Sequence, residues 1–136
     1  MSNLEKTLSI IKPDAVERNL DNEIKEIFKI NGFNIVQDKK IKITKSEAEQ
    51  FYKVHQTKPF YNDLCEYLSS GPIVVMILEK ENAVIANREL MGATNPKDAL
   101  DGTIRKKYGI SIDKNSVHGS DSIENAKIEI DFFFKD

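Results

Sequence analysis

An α/β fold in a single domain is what the sequence predicts, on three observations. The chain has 136 residues, enough for one substantial core and too few for two. Two β-branched runs, TLSIIK from Thr7 and PIVVMILE from Pro72, read as strands, and segments of helical apolar spacing lie between and after them. A composition of 40% apolar and 31% charged residues is that of a water-soluble globular chain.

The first strand, Thr7 to Lys12, is stopped by Pro13, which has no amide hydrogen for a ladder, so Lys12 is delivered to a strand end. Asp21 or Asn22 is expected to cap a helix in which Ile24, Ile27 and Phe28 recur at helical spacing, with Gly32 as its stop. GFNIVQDKKIKI then alternates as a second strand with its polar positions toward water. Thr44 and Glu47 form a capping box for a helix whose inward stripe is Ala48, Phe51, Tyr52 and His55. A third helix is expected from Lys58 to Ser69, with Phe60, Leu64 and Leu68 on one face and Gly71-Pro72 ending it.

PIVVMILE has no alternation, which predicts a strand buried on both faces or central in its sheet. A helix from Glu81 to Met91 would align Val84, Arg88 and Met91, setting Arg88 beside an apolar stripe. Gly92 to Lys114 shows no clean periodicity, and so long an irregular segment in a compact domain carries function or disorder. Beyond His118, Asp121 with Glu124 reads as another capping box, opening a last helix with Ile123, Ala126 and Ile130 on its apolar face. Ser122 and Glu129 share one side of that helix.

Charge and cysteine content narrow the function. Twenty Lys and Arg against 22 Asp and Glu give a net charge of −2, so no basic excess draws the chain onto nucleic acid or anionic lipid. The single cysteine, Cys65, forms no internal disulfide, and no Cys/His set spaced for zinc is present, which fits a reducing compartment. The N-terminal stretch lacks the apolar core of a secretory signal, and the run Ile73 to Leu78 is too short to span a bilayer. The expectation is a cytoplasmic protein with no membrane partner. Neither G-x-x-x-x-G-K-[ST] nor G-x-G-x-x-G occurs, so a phosphate site would be neither a P-loop nor a Rossmann turn.

NSVHGSDS, from Asn115, sets His118 in a Gly-Ser turn, where a histidine is ordinarily a surface or capping group. Glu129 offers a carboxylate that would hold one ring nitrogen protonated and leave the other with its lone pair, as a histidine nucleophile requires. Attack on phosphate also needs fixed cations, because the transferred group spreads negative charge over its oxygens. The arginines are Arg18, Arg88 and Arg105, and a guanidinium fork suits phosphate; the competing reading of Arg88 and Arg105 is two solvated charges. Lys12 is equally readable as an edge lysine, and Tyr52, His55 and Phe60 as core groups.

Lys12-Pro13-Asp14, ANREL from Ala86, GATNP from Gly92, GTIR from Gly102 and NSVHGSDS follow one another in this order. Together they make the chain resemble the nucleoside diphosphate kinases, of bacterial type, over nearly its whole length. The resemblance implies a ferredoxin-like fold, a four-stranded antiparallel sheet covered by helices, in one domain over residues 1–136. It implies transfer of the terminal phosphate of a nucleoside triphosphate, typically ATP, to a nucleoside diphosphate by a ping-pong route. His118 matches the histidine phosphorylated at Nδ1, Glu129 the residue that orients its ring, and Ser120 the residue that supports Glu129; Lys12 and Tyr52 join them as catalytic positions. Lys12, Arg88, Thr94 and Arg105 match phosphate contacts, and Lys12 with Asn115 the sugar-hydroxyl contacts. Tyr52 and His55 match positions lining the phosphate pocket, Phe60 and Ile112 the pair that clamps the base, and Leu64 a further nucleotide-binding position.

The cofactor so implied is Mg2+, held mainly by the nucleotide phosphates, and the partner a second copy of the chain in a tetramer or hexamer, with Pro96 at subunit contacts. No specific nucleic acid is expected. Stacking on an aromatic face tolerates any base, so low base specificity follows. Ile112 stands where the family often has valine, Lys58 where it has arginine, and Asn19 and Asn22 where glycine is frequent. Two other readings compete: a nucleotide-binding regulatory module without phosphotransfer, and a phosphocarrier charged by another protein.

Overall fold

In the computed structural model, which describes residues 4–112 and 114–134, Pro13 acts as the sequence predicts. Strand β1 (Leu4–Ile11) ends two residues before it, and Pro13 opens the short helix α1 (Pro13–Glu17), where its missing N–H costs nothing. Helix α2 (Asp21–Ile30) follows and closes in a Schellman turn: Gly32, at φ 87°, donates to the Lys29 carbonyl, and Phe33 donates to that of Phe28. The Phe28 and Phe33 rings then meet edge to face, with centroids 5.5 Å apart.

Four strands form one sheet in the order β2-β3-β1-β4, with every neighbouring pair antiparallel. Strand β2 (Asn34–Ile41) lies on one edge, and β4 (Val117–Gly119) on the other. Between them run β3 (Ile73–Glu81) and β1. This is the antiparallel, ferredoxin-like arrangement expected from the resemblance. β3 explains its own continuous apolar sequence. Val74, Met76 and Leu78 face a core shared with α2 and with α5 (Ala83–Met91), whereas Ile73 and Val75 face a second core. That second core is covered by α3 (Lys45–Phe51), α4 (Tyr61–Leu68) and α7 (Ile123–Phe134).

Several local expectations are corrected. Helix α2 starts at Asp21 behind Leu20, and neither Asp21 nor Asn22 caps it. The helix carrying Tyr52 and His55 stops at Phe51; Tyr52 is its C-cap and His55 ends a 3₁₀ turn (Lys53–His55). α4 starts at Tyr61, so Phe60 caps it from an exposed position instead of lining its apolar face. Glu81 belongs to β3, and the turn into α5 is made by Asn82 at φ 54°. The buried face of α5 is Ala83, Val84, Asn87 and Met91, which leaves Arg88 exposed. The long irregular segment holds a 3₁₀ turn (Pro96–Asp98) and helix α6 (Ile104–Tyr108), capped by the Thr103 hydroxyl. Their shortness hid them from periodicity. α7 is capped one residue later than expected, by Ser122 Oγ accepting from the Asn125 amide at 3.1 Å, and Ile123 is exposed.

The capping box at Thr44 forms as read: its hydroxyl accepts from the Glu47 amide at 3.1 Å, and its own amide donates to Glu47 Oε1 at 3.0 Å. Of the two asparagines set against glycine, Asn19 adopts φ 60°, a conformation that asparagine tolerates best after glycine, and Asn22 is an ordinary helical residue. The expected result for Thr44→Ala is a loss of about 1 kcal/mol, read as a lower urea midpoint at unchanged slope.

Candidate active site

Strand alternation aims the histidine. In the β1–β4 pairing His118 sits opposite Ile10 and therefore projects to the α3, α4 and α7 side, while Val117 and Gly119 face α5. There it packs edge-on against Phe51, with ring centroids 5.4 Å apart. Glu129, two turns into α7, reaches the ring from above. Its Oε1 lies 3.0 Å from His118 Nε2 and accepts from Ser120 Oγ at 2.8 Å. A carboxylate only accepts, so Nε2 carries the hydrogen, and in the neutral ring Nδ1 keeps its lone pair. The ring is only partly exposed, and Ser120 not at all.

A second group forms where β1 ends. Lys12 is buried, and its Nζ donates to Asn115 Oδ1 at 2.9 Å. Asn115 Nδ2 donates in turn to the carbonyls of Thr94 and Ile112, each at 3.0 Å. The amide is thereby fixed at both ends, and Thr94 and Ile112 are drawn to it through their backbones.

Arg105 joins the two groups. From α6 its Nη1 donates to the Gly92 carbonyl and its Nη2 to that of Val117, at 3.0 and 2.9 Å. Burial, and secondarily the nearby Arg88, push its pKa down to about 10, which still leaves it cationic at neutral pH. Each terminal nitrogen retains a further N–H. Arg88 stays exposed on α5, so the pair sets positive charge beside the irregular segment.

The α3–α4 connection supplies a third group. Tyr52 is buried, and its ring lies 6.3 Å from that of His55, which lies 6.0 Å from Phe60. Leu64 is half-buried against the second core. Phe60 and Ile112 are 44% and 53% exposed, enough to offer their faces to a flat ligand. Phe51 was missed as a site residue, although its place in the stripe with Ala48 and Tyr52 marked the face on which it lies.

The model of the family described as nucleoside diphosphate kinase matches residues 5–136. The chain belongs to the nucleoside diphosphate kinase family. It is 59% identical over 132 residues to a nucleoside diphosphate kinase of Campylobacter jejuni, covering 97% of this chain and 96% of that one. A crystal structure of the Aquifex aeolicus nucleoside diphosphate kinase superposes with a TM-score of 0.95 at 40% identity, covering 97% and 96% of the two chains. That of Encephalitozoon cuniculi gives 0.93 at 37% identity, covering 97% and 90%. Family membership agrees with the fold and with the ordered motifs that first carried the resemblance.

Tyr52 gives the folded chain an alkaline signature. Burial, then Cys65 and Glu129, raise its hydroxyl pKa well above its ordinary value of 10.0. Below that ordinary value the stability is full. As the pH rises beyond it toward the raised folded value, the unfolded chain releases a proton that the folded chain keeps, and stability falls. Denaturant titrations above pH 10 are expected to show a shallower loss of stability in Tyr52→Phe than in the parent.

Proposed function

We propose that this chain transfers the terminal phosphate of a nucleoside triphosphate, typically ATP, to a nucleoside diphosphate through a phosphohistidine at His118. The observation that carries the reading is the pair of bonds on Glu129 Oε1, from His118 Nε2 at 3.0 Å and Ser120 Oγ at 2.8 Å. With Nε2–H held, the Nδ1 lone pair attacks the terminal phosphorus. A N–P bond forms, the bond from that phosphorus to the bridging oxygen breaks, and the diphosphate leaves with the electron pair. Glu129 stabilises the positive charge that develops on the ring. An oxygen of the second diphosphate then attacks the phosphohistidine, and Nδ1 leaves with its lone pair restored.

Lys12, Arg88, Arg105 and Thr94 take the phosphates in this reading, with Tyr52 and His55 lining their pocket. Lys12 and Asn115 take the sugar hydroxyl, and Phe60, Leu64 and Ile112 the base. Cations and neutral donors of this kind fit phosphate oxygens and not a bare dication. Mg2+ would accordingly be held mainly by the nucleotide phosphates, with the protein's cations and donors on the remaining phosphate oxygens, and would supply charge neutralisation there. Stacking between Phe60 and Ile112 distinguishes bases weakly, in keeping with low base specificity.

Family membership supports the remaining parts of the proposal: one functional domain, assembly as a tetramer or hexamer, and a cytoplasmic setting. Among the described residues no helix is long and apolar enough to cross a membrane.

Incubation with terminally labelled ATP and Mg2+ is expected to give acid-labile, base-stable label on the protein, which then passes to GDP. His118→Ala takes up none. A folded, nucleotide-binding parent that takes up no label overturns the proposal and favours a regulatory module. In Glu129→Gln the labelling rate is expected to fall by roughly tenfold to a hundredfold, because the ring loses its anionic partner.

A further inference from the structure

The hydrogen bonds behind Lys12 converge on a carboxylate that the phosphotransfer does not use. Asp14, in α1, is buried, and both its oxygens are engaged. Oδ1 accepts from the Tyr67 hydroxyl of α4, whose oxygen accepts from the Asp14 amide at 2.9 Å. Oδ2 accepts from Ser116 Oγ at 3.1 Å and from Arg18 Nη2 at 3.3 Å. The same arginine nitrogen donates to the Tyr108 carbonyl at the end of α6, at 2.6 Å. One carboxylate thus ties α1, α4, α6 and the turn before β4 together.

Ser116 is the strained partner in this network. Its φ of 75° is one that residues with a Cβ rarely adopt. The Val117 amide donates across it to the Asn115 carbonyl at 2.9 Å, closing a three-residue turn of the rarer hand. Such a conformation persists only where its surroundings over-determine it. Here the Ser116 carbonyl accepts from the Lys12 amide at 2.8 Å, and its buried hydroxyl is held by Asp14. The reversal brings the Asn115 side chain to Lys12, whose Nζ it meets at 2.9 Å.

We propose that Asp14 and Ser116 are positioning residues for the nucleotide sugar: the bond from the Ser116 hydroxyl to Asp14 locks the turn that aims Asn115 at the 3′-hydroxyl. The inference rests on the reading of Lys12 and Asn115 as sugar contacts. Asp14 and Ser116 act through Asn115 and do not themselves touch the nucleotide. A bond that served only the fold would, on removal, slow all nucleotides alike. A positioning bond weighs only on those that carry the hydroxyl.

The test compares thymidine diphosphate with its 3′-deoxy analogue as acceptors, for the parent, Ser116→Ala, Asp14→Asn and Asn115→Ala, with thermal unfolding of each recorded. In Ser116→Ala, kcat/KM for the hydroxylated acceptor is expected to fall roughly tenfold while that for the 3′-deoxy acceptor stays within about twofold, so the preference narrows. Asp14→Asn keeps an oxygen for Ser116 and is expected to narrow it less. Equal slowing of both acceptors in the two variants, or no slowing, while Asn115→Ala narrows the preference, overturns the inference alone. An Asn115→Ala protein that keeps the parent's preference overturns the sugar contact, and the inference with it.

Discussion

The pairing of β4 with β1 is the constraint on which the site depends. Three register positions, Ser9 with Gly119, Ile10 with His118 and Ile11 with Val117, set both the depth and the facing of the histidine. Because side chains alternate at every residue, a slip of one position would turn His118 toward α5 and away from Glu129. The register is secured on both sides. Gly119 leaves no room for movement toward α5, since a Cβ there would lie 2.3 Å from Asn87 Nδ2. Arg105 holds the Val117 carbonyl, and the Lys12 amide continues the ladder to Ser116.

Lys12, just past the end of the inner strand β1, and His118, on the edge strand β4, are held in different ways. The histidine has one nitrogen, Nε2, committed to a single carboxylate from a different element, helix α7. The lysine is instead buried with its ammonium directed at an amide that is itself held by two carbonyls. Both groups are fixed by bonds already made in the folded chain. Phe60 and Ile112, by contrast, are left half-exposed.

Much of this was legible in the sequence, for identifiable reasons. β3 announced its central position by the absence of alternation, and Thr44 its cap by the spacing to Glu47. The order of the motifs disclosed the family. Arg88 was misread because helical spacing resolves a face only to about one residue, and the buried polar position on α5 is its neighbour Asn87. α6, five residues long, is too short to display a period. Asp14 and Ser116 were out of reach for a deeper reason: their partners lie 102 residues apart in the chain, and only the folded sheet brings them together.

The outer strand β2 is bent and charged along its border. Its register shifts between Ile35 and Gln37, leaving Val36 as an extra residue that bends the edge. Farther along, Asp38 pairs with Lys25 at 2.8 Å and Lys40 with Asp21 at 3.3 Å, so charges line the same border. A bent, charged border is a poor template for another strand. Open-ended strand addition, the common route from exposed sheet edges to insoluble aggregates, is opposed here by local geometry and charge together.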